Sequence, residues 1–235
     1  MVTDTPLQAV AFLKSWCQNH SIPWPERAGE NFLSYLELLG RYRHHTNLVG
    51  PSTPQAIVED LILDSIQILR HTKLPNTLID VGSGAGFPGI PLKILTPHAS
   101  ICLVEPRTKR YAFLRLVIRE LALKDTSVHS GRFESMTPEP TGMMISKAFA
   151  PLPQWLDLCA PWARCGAKIA CLCALSDWNA LTERFDKDGT RYAVESIASE
   201  GSRLYAVLRS NMPSPIIDPP ATSTRMRQGM QCSSS

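Results

Sequence analysis

The 235-residue sequence has no stretch approaching ~18 consecutive apolar residues, the length at which a segment becomes a candidate membrane span. It also lacks a basic-then-apolar leader; acidic Asp4 stands where such a leader would be positive, so neither insertion nor secretion is expected. Its cysteines, at 17, 102, 159, 165, 171, 173 and 232, include no C-x-x-C pair, and most sit in apolar runs where cysteine packs as a small hydrophobe. Cys171 and Cys173 alternate along one predicted strand with no histidine or further cysteine nearby, which argues against a metal site. Neither sign of charge dominates, with 24 Lys and Arg against 21 Asp and Glu, so any nucleic-acid surface must come from local clustering. No internal repeat is visible. These absences leave a reduced, cytosolic chain without a membrane partner, long enough for one doubly wound core and a small appendage.

The most informative stretch runs from Leu78 to Leu92, where an apolar strand enters a glycine-laden turn and then a helix. Gly82, Gly84 and Gly86 let the backbone take positive φ and approach a ligand closely, and the helix start offers unpaired N–H groups. This describes a site for a nucleotide-like cofactor. The hydride-transfer fingerprint G-x-G-x-x-G would need glycine where Phe87 stands, which disfavours a nicotinamide cofactor. The pattern that is present, D-x-G-x-G-x-G from Asp80, resembles the first motif of Rossmann-like S-adenosylmethionine (SAM) methyltransferases. A ligand-free glycine loop is the plain alternative, but it needs neither the preceding strand nor the acid that follows. That acid is Glu105, closing the run Ile101–Val104; a carboxylate ending the next strand of a βαβ unit can accept both hydroxyls of an adenosine ribose.

Apolar spacing predicts helices over 6–17 and from about Glu26 to Tyr42, and Thr53-Pro54 opens a third through Arg70. Arg41 and Arg43, with His44 and His45, either contact RNA or cap a helix C-terminus, where cations suit the dipole. Asp64 lies among apolar neighbours and needs a partner, either the glycine loop's backbone or a second helix. The chain then alternates: strand 77–81, helix from about Pro91, strand 100–105, helix 108–123, strands 127–130 and 143–149, helix 152–163, strand 167–175. This implies a parallel sheet with helices on both faces and ligands at the strands' carboxyl ends. A loop at 176–190 leads to a hairpin, 191–199 and 202–209, turning at Glu200-Gly201, while the Pro- and Ser-rich 211–235 reads as a disordered tail. Arg107, Lys109, Arg110, Arg115 and Arg119 cluster beside the pocket; the cations in the helix's first turn oppose its dipole, which favours a phosphate-binding role.

In order along the chain stand Asn47-Leu48-Val49, Leu63-Asp64-Ser65, the Ile79–Leu92 run, Lys109-Arg110 with Phe113-Leu114, Gly131-Arg132-Phe133-Glu134, and Ser146–Leu152. Over about residues 7–209 this resembles the glucose-inhibited division protein B family, which methylates N7 of a guanine in a loop of bacterial 16S ribosomal RNA. The resemblance implies a mostly parallel seven-stranded Rossmann-like sheet (73–210) with an N-terminal helical extension (1–72), SAM as cofactor, and 16S rRNA or the small subunit as partner of a monomer. It also implies that Asp80, Gly82, Gly84, Gly86 and Phe87 line the cofactor pocket, that Glu105 holds the ribose, and that Phe133 and Glu134 flank the adenine. Lys147, a cofactor contact and positioning residue by the same resemblance, stands where the family usually has arginine, and so keeps the charge without the planar fork. Asp60-Leu61 replaces the family's basic residue before I-x-D-S, and no Lys-Gly pair follows the strand at 170–175. These departures admit an alternative, a SAM- and rRNA-binding relative with impaired catalysis.

Overall fold

The computed structural model describes residues 5–46, 50, 53–147, 149–179, 192–200 and 202–211, without the side chains of 43–46 and 200. The motif at 47–49, the hairpin's Gly201, most of the expected loop at 176–190 and the tail beyond 211 therefore lie outside the described residues.

Helix α1 (Pro6–Asn19) starts where its sequence says it should: Thr5 and Gln8 form a reciprocal capping box, with Pro6 in the first turn. Its buried face, Ala9, Val10, Leu13 and Cys17, meets α2 (Ala28–Thr46). The expected third helix is segmented. Pro54–Ile57 is α-helical (α3), Val58–Leu63 has π-type bonding, Asp64–Ile66 is α-helical again (α4), and Gln67–Arg70 tightens to a 3-10 turn. The wide turn falls just before Asp64 and Ser65, both buried polar residues.

The strands are β1 (Thr77–Val81), β2 (Ser100–Val104), β3 (Thr126–His129), β4 (Met143–Lys147), β5 (Lys168–Ala174), β6 (Tyr192–Glu200) and β7 (Arg203–Ser210). They form one sheet in the order β3-β2-β1-β4-β5-β7-β6, parallel except for antiparallel β7. The helices between them are α5 (Gly89–Leu95), α6 (Thr108–Glu120) and α7 (Leu152–Arg164). Residues 175–179 are helical, against an expected loop over 176–179 and an expected strand end at Leu175.

Both faces of the sheet are covered, which is why strands such as β2 and β5 carry near-continuous apolar runs. Leu78, Ile101, Leu103, Met143, Ile145, Leu172, Tyr205 and Val207 face a core shared with α1, α2, α5 and α6. Their neighbours Ile79, Val104, Met144, Ile169, Cys171, Ala206 and Leu208 face a second core built on Trp155 and Trp162 of α7. The N-terminal helices thus belong to the first core. Strand order reverses between β1 and β4, and in open α/β sheets a crevice opens at such a point, outside the carboxyl ends of the strands.

Candidate cofactor and RNA site

The glycine turn leaves β1 at this reversal. Gly82, Gly84 and Gly86 have φ of +72°, +60° and +109°, a region in which a side chain is strained. The loop is tied at every step: the N–H groups of Gly82 and Ser83 donate to Val104 O (3.0 and 3.1 Å), and those of Gly86 and Phe87 to Ser83 O (2.7 and 2.9 Å). Asp80 points beneath it. Its Oδ2 accepts from Gly89 N at the start of α5 (2.9 Å), while Oδ1 is buried with no hydrogen-bond partner. Burial, seconded by the nearby charge of Glu105, pushes this carboxyl up to about 7 against the opposing bond from Gly89 N, while the Ser83 hydroxyl donates to the Asp80 backbone carbonyl (2.9 Å).

From the helical side, Tyr35 of α2 reaches the loop and donates its hydroxyl to Ala85 O (2.9 Å); its ring lies 5.6 Å from that of Phe87. Complete burial, with Asp80 nearby, raises this phenol well above its ordinary range, so it stays a neutral donor. The sequence showed Tyr35 only as one member of an apolar stripe.

Glu105 is buried against the loop, with Oε2 accepting from Gly84 N (3.0 Å) and Oε1 from Arg107 N (2.8 Å). Each oxygen keeps a further lone pair for a ligand hydroxyl. A tied loop of positive-φ backbone, open beside Gly84, with a fixed carboxylate next to it and an unpaired buried oxygen below it, fits an adenosine cofactor with a cationic end. Phe133 and Glu134 begin a 3-10 turn. The Phe133 ring is packed against Trp162 and Trp155 (centroids 5.7 and 6.3 Å) in the second core, while Glu134 is exposed.

Lys147 ends β4, and the structure supplies the partner that Asp64 needs. Lys147 Nζ and Asp64 Oδ2 are 2.9 Å apart, with side chains only 12% and 10% exposed. Tyr205 donates its hydroxyl to Asp64 Oδ1 (2.9 Å), and Arg203 Nε lies 3.9 Å from the same oxygen. Lys147 also donates to Asp60 O (3.3 Å) and sits 5.8 Å above the Phe87 ring. Among the described residues Asp64 thus pairs with β4 and β7 and not with the glycine loop or a second helix, the two partners expected from sequence. It joins α4 to β4 and β7, a pairing between residues 83 and 141 positions apart that no local pattern could reveal.

Among the basic residues, Arg110 turns to the loop, its Nη1 standing 3.7 Å from where a Cβ on Gly84 would be. Arg107 and Lys109 are exposed at the start of α6. Arg115 and Arg119 lie further along it, Arg115 5.9 Å over the Tyr111 ring and Arg119 paired with Glu120 (2.8 Å). With Thr126 and Ser127 of edge strand β3 they line an open concavity of about 810 Å³. Arg41 is exposed on α2, and the side chain of Arg43 lies outside the described residues. No group of three or more His, Cys, Asp or Glu among the described residues could hold a metal ion, and no described helix is long and apolar enough to cross a membrane.

Sheet order and the position of this loop are those of the Rossmann-like SAM-dependent methyltransferase fold. The fold is shared with the solved structure of ribosomal protein L11 methylase from Lactobacillus delbrueckii subsp. bulgaricus, with TM-score 0.52 at 10% identity, covering 70% of this chain and 81% of that one. Residues 28–200 match the family model for rRNA small subunit methyltransferase G (GidB), and the chain belongs to that family. The ribosomal RNA small subunit methyltransferase G of Hyphomonas neptunium is 34% identical over 175 residues, 74% of this chain and 84% of the relative. That of Wolinella succinogenes is 35% identical over 149 residues, 63% of this chain and 77% of the relative.

Proposed function

We propose that this protein methylates N7 of a guanine in 16S ribosomal RNA. The observation that carries the reading is the cradle formed by three positive-φ glycines and the Glu105 carboxylate bonded to Gly84, in a member of this family. When bound, SAM supplies a methyl group on a positively charged sulfur. Guanine N7 presents an in-plane lone pair and carries no proton, so the transfer needs alignment and exclusion of water rather than a general base.

The chain's own residues have corresponding tasks. Gly82, Gly84 and Gly86 with Phe87 line the cofactor's path, Asp80 fixes the loop to α5, and Glu105 holds the ribose. The backbone at Phe133 and the exposed Glu134 flank the adenine. Lys147, steered by Asp64, is a positioning cation beside the loop. Arg107, Lys109, Arg115 and Arg119, with Arg41 and Arg43, take RNA phosphates, and Arg110 bridges the RNA face and the loop. In this reading residues 73–210 are the methyltransferase domain and 1–72 a helical extension packed on it, acting as a cytoplasmic monomer on the small subunit.

Mapping 7-methylguanine in 16S rRNA from cells with and without the gene tests target and activity together. One modified guanine that disappears with the gene and returns with it is the expected result. Binding of SAM by the purified protein with no gene-dependent methylated guanine would instead mark a catalytically impaired relative.

A further inference from the structure

Two residues beyond Lys147, the chain places the side chain of Phe149 directly on the cofactor loop. A Cβ built on Gly82 would lie 2.5 Å from Phe149 Cδ2, with the other two nearest ring carbons at 3.3 and 3.4 Å. The ring is half-buried and braced from behind by Trp155, edge to face, with centroids 6.2 Å apart. It follows β4, on the far side of the strand reversal from β1, whereas Phe87, Tyr35 and Lys147 approach the loop from the first core. Phe149 thus stands at the crevice between β1 and β4, held by an aromatic neighbour and only half-buried beside the loop. An apolar ring in that position gains nothing from water. A planar, unstacked base gains about 1–3 kcal/mol from an aromatic face.

We propose that Phe149 is the stacking platform for the guanine that receives the methyl group, setting the plane in which N7 meets the cofactor. This rests on the methyltransferase reading above and assigns a residue to its substrate side. Stacking fixes the base plane without a hydrogen bond, so N7 keeps its in-plane lone pair for attack. The brace from Trp155 holds the ring's own rotamer and so limits the orientations of the base.

The test uses the full-length protein with small subunits from a strain lacking this activity as methyl acceptor. Phe149→Leu keeps apolar bulk against Trp155 but removes the π face; Phe149→Tyr keeps the face. With SAM saturating, Phe149→Leu is expected to lose about tenfold or more in kcat/KM for the subunit, the scale of one lost base stack. The calorimetric Kd for SAM should stay within about twofold, and Phe149→Tyr should recover most of the rate; the melting temperatures of both variants report folding. Phe149→Leu methylating like the wild type overturns the platform. So does an equal loss in SAM affinity, which would place the ring in the cofactor pocket, or tighter SAM binding, which would make it a plug. If Phe149→Tyr is folded but as slow as Phe149→Leu, the face is not what matters and the proposal fails. Wild-type protein that methylates no subunit RNA refutes the functional reading itself, an outcome visible before any variant is compared.

Discussion

Asp64→Asn separates a buried ion pair from a decorative one. The carboxylate and Lys147 are both about nine-tenths buried and 2.9 Å apart, so removing one charge leaves the other in a poorly hydrated place. Breaking such a pair from one side costs about 3–5 kcal/mol, whereas an exposed pair contributes about 0–1. Lys147 keeps its bond to Asp60 O, and Asn retains an oxygen for Tyr205, so the lower end applies, about 3 kcal/mol. Arg203 adds little, being half exposed and 3.9 Å away. Urea denaturation at neutral pH, analysed for midpoint and slope, reads this directly; in thermal melting it corresponds to a fall of about 6–12 °C. The control is Asp64→Leu with Lys147→Met, which removes both charges and is expected to be more stable than either single variant, the mark of a strongly coupled pair. A loss below about 1 kcal/mol in Asp64→Asn would refute the reasoning, since it would mean that water reaches Lys147 freely.

Gly82→Asp puts a side chain into left-handed backbone, against the Phe149 ring, and is expected to abolish SAM binding by calorimetry; unchanged affinity would remove the loop from the cofactor site. Asp80 is tied to pH by its displaced carboxyl. Its folded value of about 7 lies above the ordinary 3.8, so the folded state holds the extra proton and stability from this group is lost as pH rises from about 4 through 7. That span corresponds to at most about 4 kcal/mol. The stability advantage of wild type over Asp80→Asn in urea should therefore shrink between pH 5 and 8, and a constant difference would contradict it. Tyr35→Phe removes the only bond described to Ala85 O by a side chain and is expected to cost about 1–2 kcal/mol and to weaken SAM binding, as measured by denaturation and calorimetry.

The sheet was legible because its strands and helices write their periods locally. The run Ile101–Val104 is apolar on both faces, as is Leu78–Val81 apart from Asp80, and the structure accounts for this by covering both. Glycines at 82, 84 and 86 announced a loop at their own positions, and all three take positive φ. The third helix kept its expected span but not its bonding, since a π-type turn leaves no compositional mark. Phe133 shows the limit on side chains: its place in the chain suited the adenine edge, yet two tryptophans on α7 hold the ring inside the core. Contacts that depend on strand order, such as Asp64 with Lys147 and Tyr205, required the topology first.

That dependence bears on what the N-terminal helices do. A helical preamble outside a complete α/β sheet could be an accessory that docks RNA and leaves the cofactor site alone. Three contacts argue otherwise: Tyr35 of α2 holds the loop at Ala85, its ring packs on Phe87, and Asp64 of α4 fixes the cation at the end of β4. Each acts on the first-core side of the crevice, while Phe149 and Trp155 bound it from the second. Rigid geometry on both sides is what the proposed transfer to N7 requires, because that reaction depends on alignment and leaves no proton transfer to compensate for a misplaced base. A chain beginning near residue 73 would keep the glycines and Glu105 but lose Tyr35 and Asp64, so it would hold the cofactor motif without the geometry that makes it a site.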